Sequence, residues 1–201
     1  MTTKYWPVND HRWGVRDFVM WPTANVWAPL SVIGKQTHTR SLTGKRWMCS
    51  FTLRAATWRE RAAVGAFLDS LEQGGNRLSM WHLARPLPYG TITGSPTIAS
   101  ALSIGDKTAI IQTDPGMTVV AGDLLGVAGQ LIKAETDATA NGSGVLTMPL
   151  VHGVRKAATV GAAVTVERPS CLWIPVGEIQ SDAYVQGHAP AIPLQFAEAY
   201  E

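Results

Sequence analysis

GTITGSPTIASALSIGDKTAIIQTDPGMTVVAGDLLGVAGQLIKAETDATANGSGVLTMPLVHGVRKAATVGAAVTVERPSCL, the stretch from Gly90 to Leu172, contains no Phe, Tyr or Trp. The chain before it carries seven of the eight tryptophans, Trp6, Trp13, Trp21, Trp27, Trp47, Trp58 and Trp81. Aromatics return at once with Trp173, Tyr184, Phe196 and Tyr200. An aromatic-free stretch between two aromatic-rich ones reads as an insertion with its own aliphatic core, set into a domain whose two ends must meet. The expected fold class is mainly β with one α-helix: a β-sandwich-like domain from residues 1–87 plus 170–201, carrying a small antiparallel β-barrel inserted at 88–169.

Working outward from the insertion, its turn signals come at short intervals: Gly105-Asp106, Asp114-Pro115-Gly116, Gly122-Asp123, Asn141 to Gly144 and Val160-Gly161. Such residues either supply a left-handed backbone or bond their own chain in turns. Between them, Thr108–Gln112, Leu124–Lys133, Val145–Leu150 and Ala163–Glu167 are rich in Ile, Val, Leu and Thr, the composition of short strands. The Pro-rich run Arg85 to Gly90 is a stiff way out of the first domain, and Arg168-Pro169 is the way back.

In the flanking domain the clearest strand is Arg46–Arg54, with Trp47, Cys49, Phe51 and Leu53 on one face and Met48, Ser50, Thr52 and Arg54 on the other. Weaker strands at Arg16–Trp21 and Val26–Ile33, interrupted by Pro22 and Pro29, suit edges or bulges. Thr57-Trp58-Arg59-Glu60 has the form of a capping box and predicts a helix over about 57–73. Its apolar face is Val64, Phe67, Leu68 and Leu71, and Gly74-Gly75 end it. Strands follow at Asn76–Leu83, Cys171–Val176, Ile179–Val185 and Ala191–Ala199, the last three pairing with strands that precede the insertion.

A chain of 201 residues holds one large or two small domains, and a module of roughly 80 residues already buries about 60% of its unfolded surface. Charged residues are only 16%, against about 25% in an average protein, which suits a surface covered by partners. No run of about 18 apolar residues is present, and Met1 to Pro7 has no apolar signal core, so a soluble protein made in a cytoplasm, without membrane insertion, is expected. Met1–Arg85 has 12 Lys+Arg against 5 Asp+Glu, Pro86–Pro169 has 5 against 6, and Ser170–Glu201 has none against 4, balances of +7, −1 and −4. A basic body facing its own acidic tail is not the unopposed stripe that nucleic-acid binding uses. Arg40, Lys45 and Arg46 form its densest basic group.

Chemistry is sparse. Cys49 and Cys171, without a CxxC pair, read as buried reduced thiols and not as metal ligands. The histidines, His11, His38, His82, His152 and His188, are scattered; Asp106 and Asp123 follow glycines in turns, where an aspartate bonds its own backbone. No nucleophile elbow, zinc-protease motif, phosphate-binding loop or dinucleotide fingerprint occurs, so neither an enzyme nor a cofactor is expected. Seven tryptophans in one small body exceed what its core can absorb. Trp47, Trp58 and Trp81 are assigned to the core, and Trp6, Trp13, Trp21 and Trp27 to subunit contacts.

Met80-Trp81-His82 followed by Pro88-Tyr89-Gly90-Thr91 and Gly94-Ser95-Pro96, then Ala121 to Leu131 (AGDLLGVAGQL), then Asn141–Gly144 leading through Met148-Pro149 and Arg155 to Gly161 and Val164-Thr165-Val166, resembles the phrasing of distal tail proteins of long-tailed, non-contractile bacteriophages. The resemblance covers about residues 80–168. It implies a structural virion protein, assembled in the host cytoplasm, whose aromatic-rich domain closes into a homo-oligomeric ring, a hexamer in that family. The ring would join the tail tube protein to the tail-tip hub and other minor tail proteins, with the inserted barrel outside. On this reading Trp13, Trp21, Trp27, Arg40 and Arg46 are candidate subunit contacts, and the acidic Asp182, Glu198 and Glu201 are their candidate partners. Rival readings make the barrel a receptor- or host-glycan-binding module, or the chain another minor tail protein. The family's simple tandem of domains differs from this chain, where about 30 residues follow the insertion.

Overall fold

The computed structural model describes residues 2–7, 14–23, 26–27, 40–41, 45–54, 57–179 and 190–199. It is mainly β with one helix. In chain order the elements are β1 (Thr3–Tyr5), β2 (Gly14–Pro22), β3 (Val26–Trp27), β4 (Arg40–Ser41), β5 (Trp47–Arg54), α1 (Trp58–Asp69) and β6 (Arg77–Trp81); then β7 (Thr97–Ile98), β8 (Thr108–Gln112), β9 (Thr118–Val119), β10 (Leu124–Val127), β11 (Gln130–Lys133), β12 (Ala138–Thr139), β13 (Val145–Pro149) and β14 (Val164–Thr165); and finally β15 (Ser170–Pro175) and β16 (Ile192–Glu198).

The largest sheet runs in the order β1-β6-β15-β16-β5-β2. Its two central strands come from after the insertion and their outer neighbours from before it. Cys171 pairs with Met80 across β15 and β6, while Phe196 pairs with Cys49 across β16 and β5. Among the described strands of this sheet only β1 runs parallel to its neighbour, β6. Period-two alternation places Cys49, Phe51 and Leu53, Leu78 and Met80, Cys171 and Trp173, and Leu194 and Phe196 in one core beneath α1. Large rings fill it: Phe51 stacks on Phe196 at 5.8 Å and meets Trp6 edge-on at 5.4 Å. On the outer strand β2, a bulge between Arg16 and Val19, with Asp17 at φ +54°, shifts the alternation so that Val15, Phe18 and Met20 all reach the core.

The expected capping box is present. Thr57 Oγ1 accepts from the Glu60 amide at 3.2 Å and a Glu60 carboxylate oxygen accepts from the Thr57 amide at 3.0 Å. The helix ends earlier than expected, at Asp69, with Ser70 as cap; a 3-10 turn over Glu72–Gly74 follows, in which Glu72 at φ +49° and Gly74 at φ +100° take positive φ while Gly75 does not. Two tryptophan assignments differ from expectation. Trp6 is core, whereas Trp58, at the first helical position before the buried turns, is 45% exposed.

Residues of the insertion pack around a second cluster of Ile, Leu, Val, Ala and Met148 that contains no aromatic ring. Three small sheets, β13-β8-β7, β11-β10-β14 and β12-β9, surround it. Isolated bridges Ala134↔Leu150 and Thr97↔Ala163 tie the first two together at both ends, so the pairing runs in a circuit. The run Leu124–Lys133, expected as one strand, is a hairpin. Ala128 and Gly129 at φ +50° and +78° turn it between Val127 and Gln130, and both arms are buried on two faces. Leu125, Val127 and Ile132 point to the aliphatic cluster, while Leu124 and Leu131 enter the aromatic one. The stretch expected at Ile179–Val185 lies, beyond Ile179, outside the described residues; Ile179 itself is not in a strand.

Candidate functional site

Two places concentrate the chain's polar chemistry: a seam where the lobe (88–169) seats on the sheet, and a neck where the chain leaves and returns. At the seam the β10–β11 hairpin brings the Leu131 carbonyl under Trp47, whose indole N–H donates to it at 3.1 Å. Arg155 donates to the same carbonyl at 3.0 Å and to Glu198 at 2.6 Å. The other Glu198 oxygen accepts from the Trp47 amide at 3.0 Å. Two residues of the scaffold and two of the lobe thus close one ring of hydrogen bonds. Burial pushes the Glu198 carboxyl up from its usual range, opposed by the Arg155 guanidinium and by the Trp47 amide.

The neck is held by Asp123. It is buried, and its carboxylate accepts from the amides of Tyr89 at 2.8 Å, Gly90 at 3.0 Å and Val120 at 2.9 Å. Its role includes the expected turn bond to Val120 and extends to the outgoing linker. Gly90 lies against the backbone of Thr118, whose carbonyl oxygen leaves no room for a Cβ. Outgoing and returning strands are joined by the Arg168 amide, which donates to Pro86 at 2.6 Å, while the Arg85 guanidinium donates to Gly122 at 2.6 Å. Each of these arginines also lies over a ring, Arg85 over Tyr89 and Arg168 over Trp81.

Burial favours the neutral forms of His82, His152 and the two cysteines. Burial drives His82 down to about 4, with Arg85 adding to the effect, and lowers His152, with Lys45, Arg155 and Lys133 adding. Cys49 and Cys171 are buried free thiols pushed well up by the same cause, so neither is a nucleophile at neutral pH. Among the described residues no group of three or more His, Cys, Asp or Glu could hold a metal, and no helix is long and apolar enough to cross a membrane. An open cleft of about 290 Å³ lies along the seam, lined by Ile104, Gln130, Arg155, Lys156, Leu172 and Glu198 among others. Gln130 there is committed to the lobe: its side-chain oxygen accepts from the amides of Arg155 and Lys156.

The candidate subunit contacts fall in different places. Trp21 is half-buried on β2, opposite Met48. Half-buried Arg46 has its backbone pinned to Thr23, whose amide donates to the Arg46 carbonyl at 2.8 Å. Trp27 and Arg40 are register partners of the β3–β4 pair. Trp13, Asp182 and Glu201 lie outside the described residues. Glu198 is corrected: at 3% exposure its carboxylate serves Arg155 and Trp47 of its own chain, because β16 is an inner strand whose end is capped by the lobe. Arg155 and Leu131 were not singled out for this role, and an acid 43 residues from its arginine has no local spacing to reveal it. Compared with models of known protein families the chain matches none, and comparison with curated proteins likewise finds no match.

Proposed function

We propose that this chain is a non-enzymatic structural protein of a bacteriophage tail. It forms a homo-oligomeric ring at the distal end, joining the tail tube to the tail-tip hub, with the lobe on the outside. Support comes above all from the sheet built from both ends of the chain, with a separately packed lobe held on a short neck between β6 and β15. That layout is compatible with the ring-former and peripheral module implied by the resemblance over 80–168. The outermost strands of the sheet carry Tyr5 at 73% and Val19 at 53% exposure, apolar groups that closure into a ring would cover. A glycan-binding lobe is less favoured, since residues 90–172 carry no Phe, Tyr or Trp on which a sugar could stack, and the ring of Tyr89 at the start of the lobe has the Arg85 guanidinium over it.

Negative-stain electron microscopy and native mass measurement of the purified protein test the proposal. Closed rings with outward protrusions are expected. A strict monomer at high micromolar concentration, together with tails that lack such a ring, would contradict it. Glycan-array binding by the full protein would move the function to recognition.

A further inference from the structure

His152 sits on the seam with its chemistry unspent. Its ring meets Trp47 edge-on at 5.4 Å, and both ring nitrogens are buried without a hydrogen-bond partner among the described residues. The charged groups that act on it are cations from three elements, Lys45 just before β5, Lys133 at the end of β11 and Arg155 on its own loop, and Arg155 is in turn paired with Glu198 on β16. Glu198 is already occupied by Arg155 and the Trp47 amide. A neutral imidazole fits this place as a flat, weakly polar group. An imidazolium would add a further cation to a cationic cluster and bury N–H donors that have no acceptor.

We propose that the seam is a proton-operated joint: proton uptake by His152 breaks its packing on Trp47 and frees the lobe to move about its neck. The neck is held independently, by Asp123 on the Tyr89 and Gly90 amides and by the bond from Arg168 to Pro86, so the lobe stays attached when the seam opens. The direction follows from linkage. His152 is lowered from 6.5 in the closed state, first by burial and then by Lys45, Arg155 and Lys133. Its contribution to closure is therefore complete above about pH 6.5 and is lost as pH falls through the lowered value, because the open state takes the proton more readily. Glu198 is raised, so its protonation works in the opposite sense on burial while ending its ion pair with Arg155. His82, held at about 4 by burial, Arg85 and Lys133, lies on the scaffold side, where its ring packs on Phe18.

The test uses the full chain, titrated from about pH 8 to about pH 4. The readout is solvent exchange of the Trp47 indole N–H, resolved by NMR, which crosses the seam to Leu131. Relative to a free indole at the same pH, wild type is expected to lose about tenfold or more of its protection, reversibly, below about pH 6.5. His152→Phe, which keeps a ring on Trp47 but cannot titrate, should abolish the change, and His82→Phe should keep it. An unchanged indole in wild type, or the same transition in His152→Phe, overturns the proposal. If His152→Phe does not fold at pH 8, NMR titration of His152 in wild type decides. An imidazole pKa below 6.5 that coincides with the exchange supports the joint, and a value at or above 6.5 contradicts it.

Discussion

The scaffold and the lobe solve the same problem with different side chains. In the scaffold, one broad sheet and one helix enclose a wide space, filled by Trp6, Phe51, Trp173 and Phe196, rings that each bury on the order of 200 Å². In the lobe, strands of two to five residues curl around a narrow one, and only aliphatic side chains are found there. Close packing makes each filling specific to its enclosure, so an aromatic gap in the sequence marks a change of architecture. The β10–β11 hairpin belongs to both, with Leu125 and Ile132 on one side and Leu124 and Leu131 on the other.

Trp173→Ala should have the largest effect. It removes a fully buried ring and leaves the Met80 carbonyl without the indole that donates to it at 2.9 Å. A loss of about 5 kcal/mol is expected in denaturant unfolding, with the scaffold losing amide protection before the lobe. Glu198→Ala follows at about 4 kcal/mol, since it strands the largely buried Arg155 guanidinium. Replacing both Arg155 and Glu198 with apolar residues should recover much of that loss, and equal instability of the single and double variants would separate the seam from the ion pair. Leu131→Ala, at about 3 kcal/mol, sharpens the comparison: as a leucine shared across the seam, it should lower protection in both bodies, where Leu146→Ala should act first on the lobe. Thr57→Ala is the smallest change, about 1 kcal/mol from loss of the cap, read as a shift in the scaffold's unfolding midpoint.

What could be read in advance was local. The alternation of Trp47 to Arg54 gave the buried face of β5, and Thr57 with Glu60 marked the start of α1, because both signals lie within a few residues of backbone geometry. Aromatic content separated the two cores. Hidden from such patterns were contacts made by a second body. The run from Leu124 to Lys133 looked like one strand because it is apolar on both faces, and only the lobe seated on the sheet explains why. Glu198 had the appearance of a surface acid in an acidic tail until Arg155 and the Trp47 amide were found on it. Trp6 and Trp58 differ from expectation for a similar reason: Trp6 is buried after a short strand held on β6, its amide donating to Ser79 at 3.0 Å, while Trp58 stands partly exposed at the head of its helix.

Native-state hydrogen exchange on the full chain tests most directly whether one sheet is closed by both ends of the sequence. Amides of β5 and β6 should open together with those of β15 and β16, with one common free energy, while the strands of the lobe report a value of their own. Exchange of β15 and β16 in step with the lobe, or free exchange there while β5 and β6 remain protected, would contradict the account.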